Sequence, residues 1–520
     1  MNEDKLFAMR HSLAHIMAQA VQHLWPEAKF GVGPVVENGF YYDIDLGETK
    51  ISEDDFKKIE KEMRTIINRN FPFERSEQGI DSAIDWARQA QQPYKEELLN
   101  DLKRAGTTVA KELDSAELGL ATEGDAAIEV VSFYTDGDFT DLCRGPHVDS
   151  TGQVGAFKLM RVAGAYWRGN EKNAQMQRLY GVAFATQEEL DQYLAMLEEA
   201  KKRDHRKLGQ ELDLFIFSDL VGAGLPLWTP RGTILKNKLD AFVQELREAA
   251  GFQQVAIPHI TKKDLYERSG HWAKFKDELF RVTTREGHEF AIKPMNCPHH
   301  TQIYAAQPRS YRDLPIRYRD TTMVYRDEQS GELGGLSRVR GITQDDAHIF
   351  CRTSQVEDEA ASLWNVIETF YSACGFERFR VRLSTHDPAN MAGYAGGVEK
   401  WDSTVQQLRN IIESKVGDDY IEGIGEAAFY GPKIDFMAKD AIGREHQLAT
   451  IQLDFNQPEG FDLTCINEGG ADERIVMLHC AVMGSHERFL SVFIEHTAGR
   501  FPIWCAPEQL RIIKVKDEPT

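Results

Sequence analysis

The middle of the chain combines residue types that could bind a phosphate chain with residue types that could bind a metal. Cys297 lies near the start of residues 293–351 and His348 near their end, while Arg326 and Arg338 flank a Gly-rich turn between them. Arginine holds phosphate oxygens bidentately and stays charged, and thiolate and imidazole suit a borderline metal such as zinc. The segment therefore indicates a triphosphate site beside a metal. The alternative for any one of these arginines is a surface salt bridge.

Three metal-ligand side chains, Cys297, His348 and His479, could meet in the folded chain. They lie far apart along the sequence, so their spacing alone does not bring them together. An isolated cysteine or histidine more often packs in a core. Three protein ligands leave one zinc coordination position open, as in catalytic zinc sites. A metal at these residues is one hypothesis, and core packing is the other.

A second group of candidate ligands lies near the N-terminus. His11 and His15 are four residues apart, a spacing that places both on one face of a helix. Cys143 and His147 add a thiol and an imidazole on a loop. Three histidines and a cysteine form a plausible zinc set, so the residues alone indicate a metal-dependent hydrolase site. The alternative is a pair of helix histidines and an unrelated loop cysteine.

The composition is typical of a multidomain protein from a reducing compartment. A length of 520 residues predicts about two to four domains. The mean hydropathy of -0.45 is typical of soluble globular proteins, no apolar run approaches a membrane span, and the N-terminus lacks a basic-then-apolar leader. The seven cysteines contain no CxxC pair, which argues against a disulfide framework. We therefore expect a cytoplasmic protein with no membrane association.

The formal net charge of -21 argues against a general nucleic-acid binder, because phosphate neutralisation dominates the affinity of such proteins. A locally basic surface is still compatible with RNA binding, and residues 201–207 form one basic run. The alternative for this run, which the sequence alone favours, is the solvated face of a helix.

The elements that must position these residues fall into two groups. Residues 1–184 predict an α+β unit. Its predicted helices cover residues 6–25 and 52–70, and its predicted strands cover residues 39–45, 127–134 and 159–167. Ser52 and Asp55 resemble a capping box at the start of the second helix.

The second group begins after a charged segment, residues 187–209, whose apolar spacing predicts a connecting helix. Beyond it, strands over residues 429–436, 446–455 and 476–480 predict an antiparallel sheet, and a helix is predicted over residues 485–496.

Three segments resemble the signature motifs of class II aminoacyl-tRNA synthetases. Residues 251–258 (GFQQVAIP) resemble motif 1, the segment around Arg326 resembles motif 2, and residues 484–488 (GSHER) resemble motif 3. With residues 295–298 (MNCP) and 344–348 (QDDAH), they resemble the version found in the threonyl-tRNA synthetase family. At the N-terminus, HSLAH and DLCRGPH resemble the editing domain shared by threonyl- and alanyl-tRNA synthetases. The resemblance extends from His11 to about residue 507.

The resemblance implies an α+β fold, in which a class II antiparallel sheet flanked by helices is preceded by a smaller α+β editing domain. The implied domains are an editing domain (1–184), a linker helix (185–210), a catalytic core (211–505) and the start of an anticodon-binding domain that is otherwise absent (506–520). A small N-terminal ubiquitin-like domain is also expected to be absent.

The resemblance also implies roles for individual residues of the core, with one zinc ion per chain and Mg²⁺ accompanying ATP. The implied zinc ligands are Cys297, His348 and His479. The implied ATP-binding residues are Arg326, Glu328, Arg338, Ile342, Gln447 and Arg488. The implied threonine-binding residues are Met295, Asp346, Tyr430, Gln452 and Ser485. The implied catalytic residues are Arg326, Arg488, Gln344 and Lys433.

In the editing domain, the family's site is usually metal-free, with histidines and a lysine positioning a water against the ester of mischarged tRNA. The matching positions here are His11, His15, Tyr42, Lys95, Asp141, Cys143 and His147.

The resemblance implies a threonine-tRNA ligase that activates L-threonine with ATP and transfers it to tRNA(Thr), as a homodimer joined through motif 1. Zinc that binds the amine and hydroxyl of threonine rejects valine but not serine, so a second hydrolytic site for seryl-tRNA(Thr) is expected. Two alternatives remain at this point: a free-standing deacylase with an inactive core, and a regulatory paralogue that binds threonine or RNA. Two residues depart from the family pattern, Ile342 in place of a phenylalanine and His299 before His300.

Overall fold

The computed structural model describes residues 2–105, 128–170, 172–275, 277–376 and 379–513. The chain divides into two compact units, Met1–Leu197 and Glu198–Thr520. Each unit has its own buried hydrophobic core. Within the described ranges, no helix is long and apolar enough to cross a membrane. The α+β class predicted from the sequence is confirmed, since both units combine helices with mainly antiparallel sheets.

The first unit packs helices on antiparallel sheets. Its helices are α1 (Glu3–Leu24), α2 (Phe56–Arg69), α3 (Ile80–Gln89), α4 (Pro93–Ala105) and α5 (Gln187–Arg203), which continues past residue 197. Its strands are β1 (Lys29–Phe30), β2 (Val35–Val36), β3 (Gly39–Asp45), β4 (Glu74–Gly79), β5 (Val130–Asp136), β6 (Phe139–Leu142), β7 (Ala156–Tyr166) and β8 (Gln175–Phe184). The larger sheet has the order β1-β3-β8-β7, and β4, β5 and β6 form a second sheet. Leu13 and Met17 of α1 pack with Phe40 of β3 in the core, which fixes the helix that carries His11 and His15.

The second unit surrounds a large sheet with helices. Its helices are α6 (His205–Glu211), α7 (Pro230–Ala249), α8 (Lys263–Arg268), α9 (His271–Lys274), α10 (Cys297–Ala305), α11 (Val356–Ala373), α12 (Val398–Val416), α13 (Asn456–Gly460) and α14 (His486–Thr497). Its strands are β9 (Phe215–Ile216), β10 (Leu227–Trp228), β11 (Gln253–Gln254), β12 (Ile260–Lys262), β13 (Arg281–Thr283), β14 (Glu289–Ile292), β15 (Ile316–Tyr325), β16 (Gly341–Cys351), β17 (Phe379–Thr385), β18 (Tyr420–Ile424), β19 (Lys433–Lys439), β20 (Glu445–Asp454), β21 (Thr464–Ile466), β22 (Asp472–Arg474) and β23 (Val476–Ala481).

Eight strands form the main sheet in the order β11-β15-β16-β23-β20-β19-β17-β18. All neighbours pair antiparallel except the two outermost pairs, β11 with β15 and β17 with β18, which are parallel. Apolar side chains of the central strands and of α7, α11, α12 and α14 form one core. The antiparallel sheet flanked by helices, expected for the second unit, is therefore confirmed.

The expectation of one connecting helix over residues 185–210 is wrong, because α5 ends at Arg203 and α6 begins at His205. Asp204 between them has a non-helical backbone conformation (φ -48°, ψ 120°). Its side chain accepts a hydrogen bond from the main-chain N–H of Arg206 at 2.8 Å. Asp204 is thus the N-cap that starts a second helix.

The strand predicted over residues 429–436 begins only at Lys433, which corrects its first half. Residues 429–432 turn instead, and at Gly431 an added Cβ would lie 2.0 Å from the carbonyl oxygen of Leu453, a space that only glycine fits. The capping box of Ser52 and Asp55 is confirmed. Residue 127, where one predicted strand began, and residues 514–520 lie outside the described residues. Residues 506–513 contain no helix or strand.

Candidate functional site

A cavity of about 1030 Å³ in the second unit brings together residues from motif-like segments that are far apart in sequence. It is lined by parts of β16, β20 and β23, by the start of α14, and by the segment that joins β15 to β16. The predicted site residues in its lining are Met295, Arg326, Glu328, Arg338, Ile342, Gln344, Asp346, His348, Tyr430, Gln447, Gln452, His479, Ser485 and Arg488. Cys297 and Lys433 are not in the lining but contact it through their partners, described below.

The candidate metal group adjoins the cavity through His348 and His479, which line it. His348 and His479 are direct partners across the antiparallel strands β16 and β23, and His348 Nε2 lies 3.0 Å from His479 Nδ1. Cys297 begins α10, and potential ligand atoms of all three side chains lie within 4.8 Å of one another. Burial lowers the pKa of His348 well below its usual range, so its ring is the neutral form that binds metals. A thiol and two imidazoles are donors that suit zinc, and three protein ligands are the usual number in catalytic zinc sites.

The outer ring nitrogens of both histidines are also paired. His479 Nε2 lies 2.9 Å from Asp454 Oδ2, and His348 Nδ1 lies 2.8 Å from His300 Nδ1. Carboxylates and other acceptors behind metal-bound histidines fix the ring tautomer. Of the two adjacent histidines, His300 therefore supports the metal group. His299 is buried near Tyr266, and in the described residues its ring nitrogens have no hydrogen-bond partner.

Threonine-site candidates lie beside the metal group. Asn296 donates a hydrogen bond to Asp346 Oδ2 at 3.1 Å, and the Tyr430 hydroxyl donates to Gln452 Oε1 at 2.8 Å. Burial raises the pKa of Asp346, and the nearby His300 works against that rise. A buried carboxylate with few donors is suited to a cationic partner such as an amine.

Asp435 on β19 joins two more predicted residues below the cavity. Its carboxylate is fully buried, with Lys433 Nζ at 2.9 Å and the Gln447 side-chain amide at 2.7 Å. Arg382, Ser384 and Thr450 donate to the same carboxylate. Asp435 therefore fixes Lys433 and Gln447 relative to one another.

The candidate ATP residues line the same cavity. Arg338 donates from Nε to Glu328 Oε2 at 2.8 Å, so two predicted ATP residues pair directly. The guanidinium of Arg326 stacks 5.5 Å from the ring centre of Phe275, and its Nε is buried without a hydrogen-bond partner among the described residues. Arg488 lies on the first turn of α14, where its N–H donates to the N-cap Ser485 at 3.1 Å.

The first unit brings all seven predicted editing residues together. Cys143 Sγ lies 3.3 Å from His11 Nε2 and 3.3 Å from His147 Nε2. The ring of His147 also lies 4.4 Å, centre to centre, from that of His15. Burial lowers the pKa of His11 to about 4 and raises that of Cys143 to about 12, so both side chains are neutral near pH 7. Neutral imidazoles can accept a proton from water.

A buried polar chain adjoins these rings. Lys95 Nζ lies 2.6 Å from Asp141 Oδ1 and 3.1 Å from the Tyr42 hydroxyl, which itself donates to Asp141. Asp141 also lies 3.8 Å from His15 Nε2. The metal-ligand hypothesis for this cluster keeps geometric support, because potential ligand atoms of its three histidines and Cys143 lie within 4.8 Å of one another.

Three residues of these networks, Asp435, Asp454 and His300, have no role predicted from the sequence, and neither has His205 in the cavity lining. Asp435 and Asp454 each lie in an apolar strand (KIDF and QLDF), and a carboxylate in such a strand is a signal that could have indicated a buried polar role. The basic run at residues 201–207 is ion-paired within its own helices, for example Lys201 with Glu198 and Lys207 with Glu211. This pairing supports the solvated-face alternative.

Comparisons with known proteins agree with this geometry. Residues 280–497 match the model of the tRNA synthetase class II core domain (G, H, P, S and T), and residues 131–180 match the threonyl and alanyl tRNA synthetase second additional domain. The threonine–tRNA ligase of Porphyromonas gingivalis is 47% identical and covers 98% of this chain and 75% of its own length. That of Cytophaga hutchinsonii is 46% identical over 98% of this chain and 75% of its own length.

Solved structures give the same result. The crystal structure of the RNA binding domain of threonyl-tRNA synthetase from Cryptosporidium parvum is similar with a TM-score of 0.55 and 40% identity, covering 58% of this chain and 74% of that one. A putative threonyl-tRNA synthetase from Aeropyrum pernix is similar with a TM-score of 0.53 and 34% identity, covering 58% and 71%. With its class II core, its editing-type domain and these relatives, the chain belongs to the threonine–tRNA ligase family of class II aminoacyl-tRNA synthetases.

Proposed function

We propose that the chain activates L-threonine with ATP, transfers it to tRNA(Thr) and hydrolyses mischarged seryl-tRNA(Thr). The observation that carries this proposal is the shared cavity, because His348 and His479 of the Cys/His/His group line it together with Arg326, Glu328 and Arg338. An amino acid held by the metal group and a nucleotide held by the arginines can then meet in this one cavity.

Cys297, His348 and His479 would hold zinc, one ion per chain. Bound zinc would accept the amine and hydroxyl of threonine, which separates threonine from the isosteric valine. Asp346 binds the amine, and Tyr430 and Gln452, already joined by a hydrogen bond, line the side-chain pocket with Met295 and Ser485.

In the activation step, a carboxylate oxygen of threonine attacks the α-phosphorus of ATP and pyrophosphate leaves with the electrons of the broken P–O bond. Positioning and charge neutralisation supply most of the rate in such displacements. Arg326 holds the α-phosphate, Arg338 and Arg488 hold the distal phosphates, and Mg²⁺ accompanies ATP. Glu328 and Ile342 contact adenine. When Glu328 binds adenine, Arg338 is released from its hydrogen bond with Glu328. Gln344, Lys433 and Gln447 orient the reacting groups.

Serine carries the same amine and hydroxyl, so the core alone cannot reject it. In the first unit, His11, His15 and His147 position a water that attacks the ester carbonyl of seryl-tRNA, releasing serine and free tRNA. Lys95 positions the same water, Tyr42 and Asp141 hold Lys95 in place, and Cys143 lies beside the rings of His11 and His147. The cluster's buried, neutral histidines support this role.

For the domains, we infer an editing domain (1–184), a linker (185–210) and a catalytic core (211–505). We also infer a homodimer formed through residues 251–258, which would bring two complete cavities into one molecule.

ATP–pyrophosphate exchange tests the proposal. With threonine we expect rapid exchange, with serine weaker exchange and with valine essentially none. A chain that deacylates seryl-tRNA but exchanges no pyrophosphate would instead be a free-standing deacylase. A chain that binds threonine without either reaction would be a regulatory paralogue.

A further inference from the structure

His205, the first residue of α6, makes a hydrogen bond from each ring nitrogen to a different part of the second unit. The main-chain N–H of Leu336 donates to His205 Nε2 at 3.0 Å. His205 Nδ1 lies 2.6 Å from Glu495 Oε1. The histidine is only 6% exposed, so neither contact is readily replaced by water.

The partners determine the form of the ring. Because Leu336 N–H is a donor, Nε2 must carry a lone pair and no hydrogen. The single ring hydrogen then lies on Nδ1 and is donated to the Glu495 carboxylate. The His205 ring is therefore a hydrogen-bond acceptor at Nε2 and a donor at Nδ1. A charged side chain cannot supply both.

The acceptor side holds the segment that carries the ATP candidates. Leu336 lies between β15 and β16, two residues before Arg338, and it is fully buried. Gly335 allows this segment to approach His205 closely. It has φ +61°, and an added Cβ there would lie 2.5 Å from His205 Nε2. A buried N–H with no acceptor is costly, so the imidazole determines where this turn rests.

The donor side holds the helix that carries Arg488. Glu495 lies on α14 two turns after Arg488, and it also accepts a hydrogen bond from the His205 main-chain N–H at 3.0 Å. Arg444 donates to the same carboxylate at 2.5 Å and is itself held by Asp440 at 2.7 Å. The Glu495 carboxylate is thus held by the His205 main chain and by Arg444 as well as by the His205 ring.

We propose that His205 is a positioning residue for ATP: by bridging Leu336 N–H and Glu495, it holds the β15–β16 segment against α14. This keeps Arg338 and Arg488 at the spacing that a nucleotide requires. The inference rests on the proposed function, since it concerns the same ATP site. This role is consistent with the start of a new helix after Asp204, because the N-cap there places His205 as the first, buried residue of α6.

A metal site formed by the same residues is less well supported. Asp204, His205 and Glu495 have potential ligand atoms within 4.8 Å of one another. Both ring nitrogens of His205 are already used in hydrogen bonds, however, and Asp204 caps α6 through Arg206 N–H. The group is therefore a hydrogen-bonded anchor.

Two substitutions separate the two contacts. In His205→Gln, the amide oxygen can take the place of Nε2 and accept from Leu336 N–H. In His205→Asn, the shorter amide takes the place of Nδ1 and can reach Glu495 only. We expect His205→Asn to weaken ATP binding about tenfold, the effect of one lost buried acceptor, and His205→Gln to weaken it less than about threefold.

The measurements are the Kd of ATP by calorimetry and the KM values for ATP and threonine in pyrophosphate exchange. The KM for threonine should not change, because the His205 ring bonds to Leu336 and Glu495, which are not among the predicted threonine-binding residues. Lys207→Gln, on the same helix and at a residue that pairs with Glu211, is the control and should change neither constant. A general structural role would raise both KM values and lower the melting temperature in both His205 variants.

Equal ATP affinity in wild type, His205→Gln and His205→Asn would overturn the inference while leaving the proposed function intact. A wild-type chain that neither binds ATP nor exchanges pyrophosphate would contradict the proposed function instead. If His205→Asn does not fold, Glu495→Gln against Glu495→Leu repeats the test. The first keeps an oxygen acceptor for His205 and should bind ATP nearly as wild type, whereas the second should lose about tenfold; equal affinities would overturn the inference.

Discussion

Nδ1 of His300 lies 2.8 Å from Nδ1 of His348. One of these nitrogens must carry the hydrogen, and a metal at His348 Nε2 requires that His348 carry it on Nδ1. His300 Nδ1 then accepts. His300 is fully buried and its other nitrogen has no hydrogen-bond partner in the described part of the chain, so its ring is available for this one task.

We therefore expect His300→Leu to lower the affinity for zinc roughly 10–100-fold, the usual cost of removing a partner behind a metal-bound histidine. Competition with a chromophoric chelator measures it. His299→Gln is the matched control, because His299 does not contact His348, and its zinc affinity should equal that of wild type. Unchanged affinity in His300→Leu would show that the His300 contact does not support the metal group.

Ile342→Phe should lower the KM for ATP. Ile342 and Glu328 both line the cavity, and an aromatic ring at position 342 should stack on adenine, a gain of about 0.5–1.5 kcal/mol beyond its area. This corresponds to a KM roughly two- to tenfold lower. Pyrophosphate exchange at varied ATP provides the test, with Ile342→Leu as the size control. A KM that rises or stays constant would place Ile342 away from the base.

Asp435→Asn should lower kcat for threonine activation about tenfold or more. The neutral amide cannot accept from all the donors that converge on this carboxylate, so Lys433 and Gln447 lose their common anchor. Ser384→Ala removes only one of those donors and should cost little. Pyrophosphate exchange under saturating ATP and threonine gives kcat. Equal losses in the two variants would contradict an anchoring role.

His11→Ala and Cys143→Ala should leave threonine activation intact but let seryl-tRNA persist. Both side chains belong to the first unit, whereas the activation cavity belongs to the second. Incubation of each variant with preformed seryl-tRNA measures the loss, which for His11→Ala is expected at about 100-fold, as for a proton-transfer group. His23→Ala is the control, since His23 is also on α1 but pairs with Glu62 and Asp138. Hydrolysis at the wild-type rate would remove His11 and Cys143 from the mechanism.

Asp136→Asn should stabilise the chain, and more so at high pH. Both carboxylate oxygens of Asp136 are buried without a hydrogen-bond partner in the described residues. Burial, with Asp141 and Asp138 adding to it, raises the pKa of Asp136 to about 8 from an ordinary value of 3.8. The folded state therefore holds a proton that the unfolded state releases. The contribution of Asp136 to the free energy of unfolding is complete below pH 3.8 and is lost as the pH rises to about 8.

Asparagine does not ionise, so Asp136→Asn avoids this pH-dependent loss. The free energy of unfolding of the variant, relative to wild type, should therefore increase by about 2–4 kcal/mol between pH 5 and pH 8. Urea unfolding at the two pH values measures it. Asp138→Asn is the opposite control, because hydrogen bonds from Gln19 and His23 outweigh partial burial and lower the pKa of Asp138. That variant should gain no stability at pH 8. A pH-independent difference for Asp136→Asn would show that Asp136 is ionised in the folded chain.

Local patterns in the sequence indicated the α+β class and the main helices, whereas the roles of most candidate residues came from the resemblance to the synthetase family. His11 and His15 could be placed together from sequence, because a four-residue spacing on a helix is a local property. The break at Asp204 and the turn at Gly431 were missed, because a capping side chain and a close contact with Leu453 override a helix-like or strand-like pattern.

Only the tertiary structure decided which distant residues meet. His348 and His479 are far apart in the chain, and they face one another because β16 and β23 pair antiparallel in one register; a shift of one residue would turn them to opposite faces. The supporting residues were decided in the same way. Asp454, His300 and His205 carry no spacing signal, because a hydrogen bond between side chains depends on the packing of elements and not on their order in sequence.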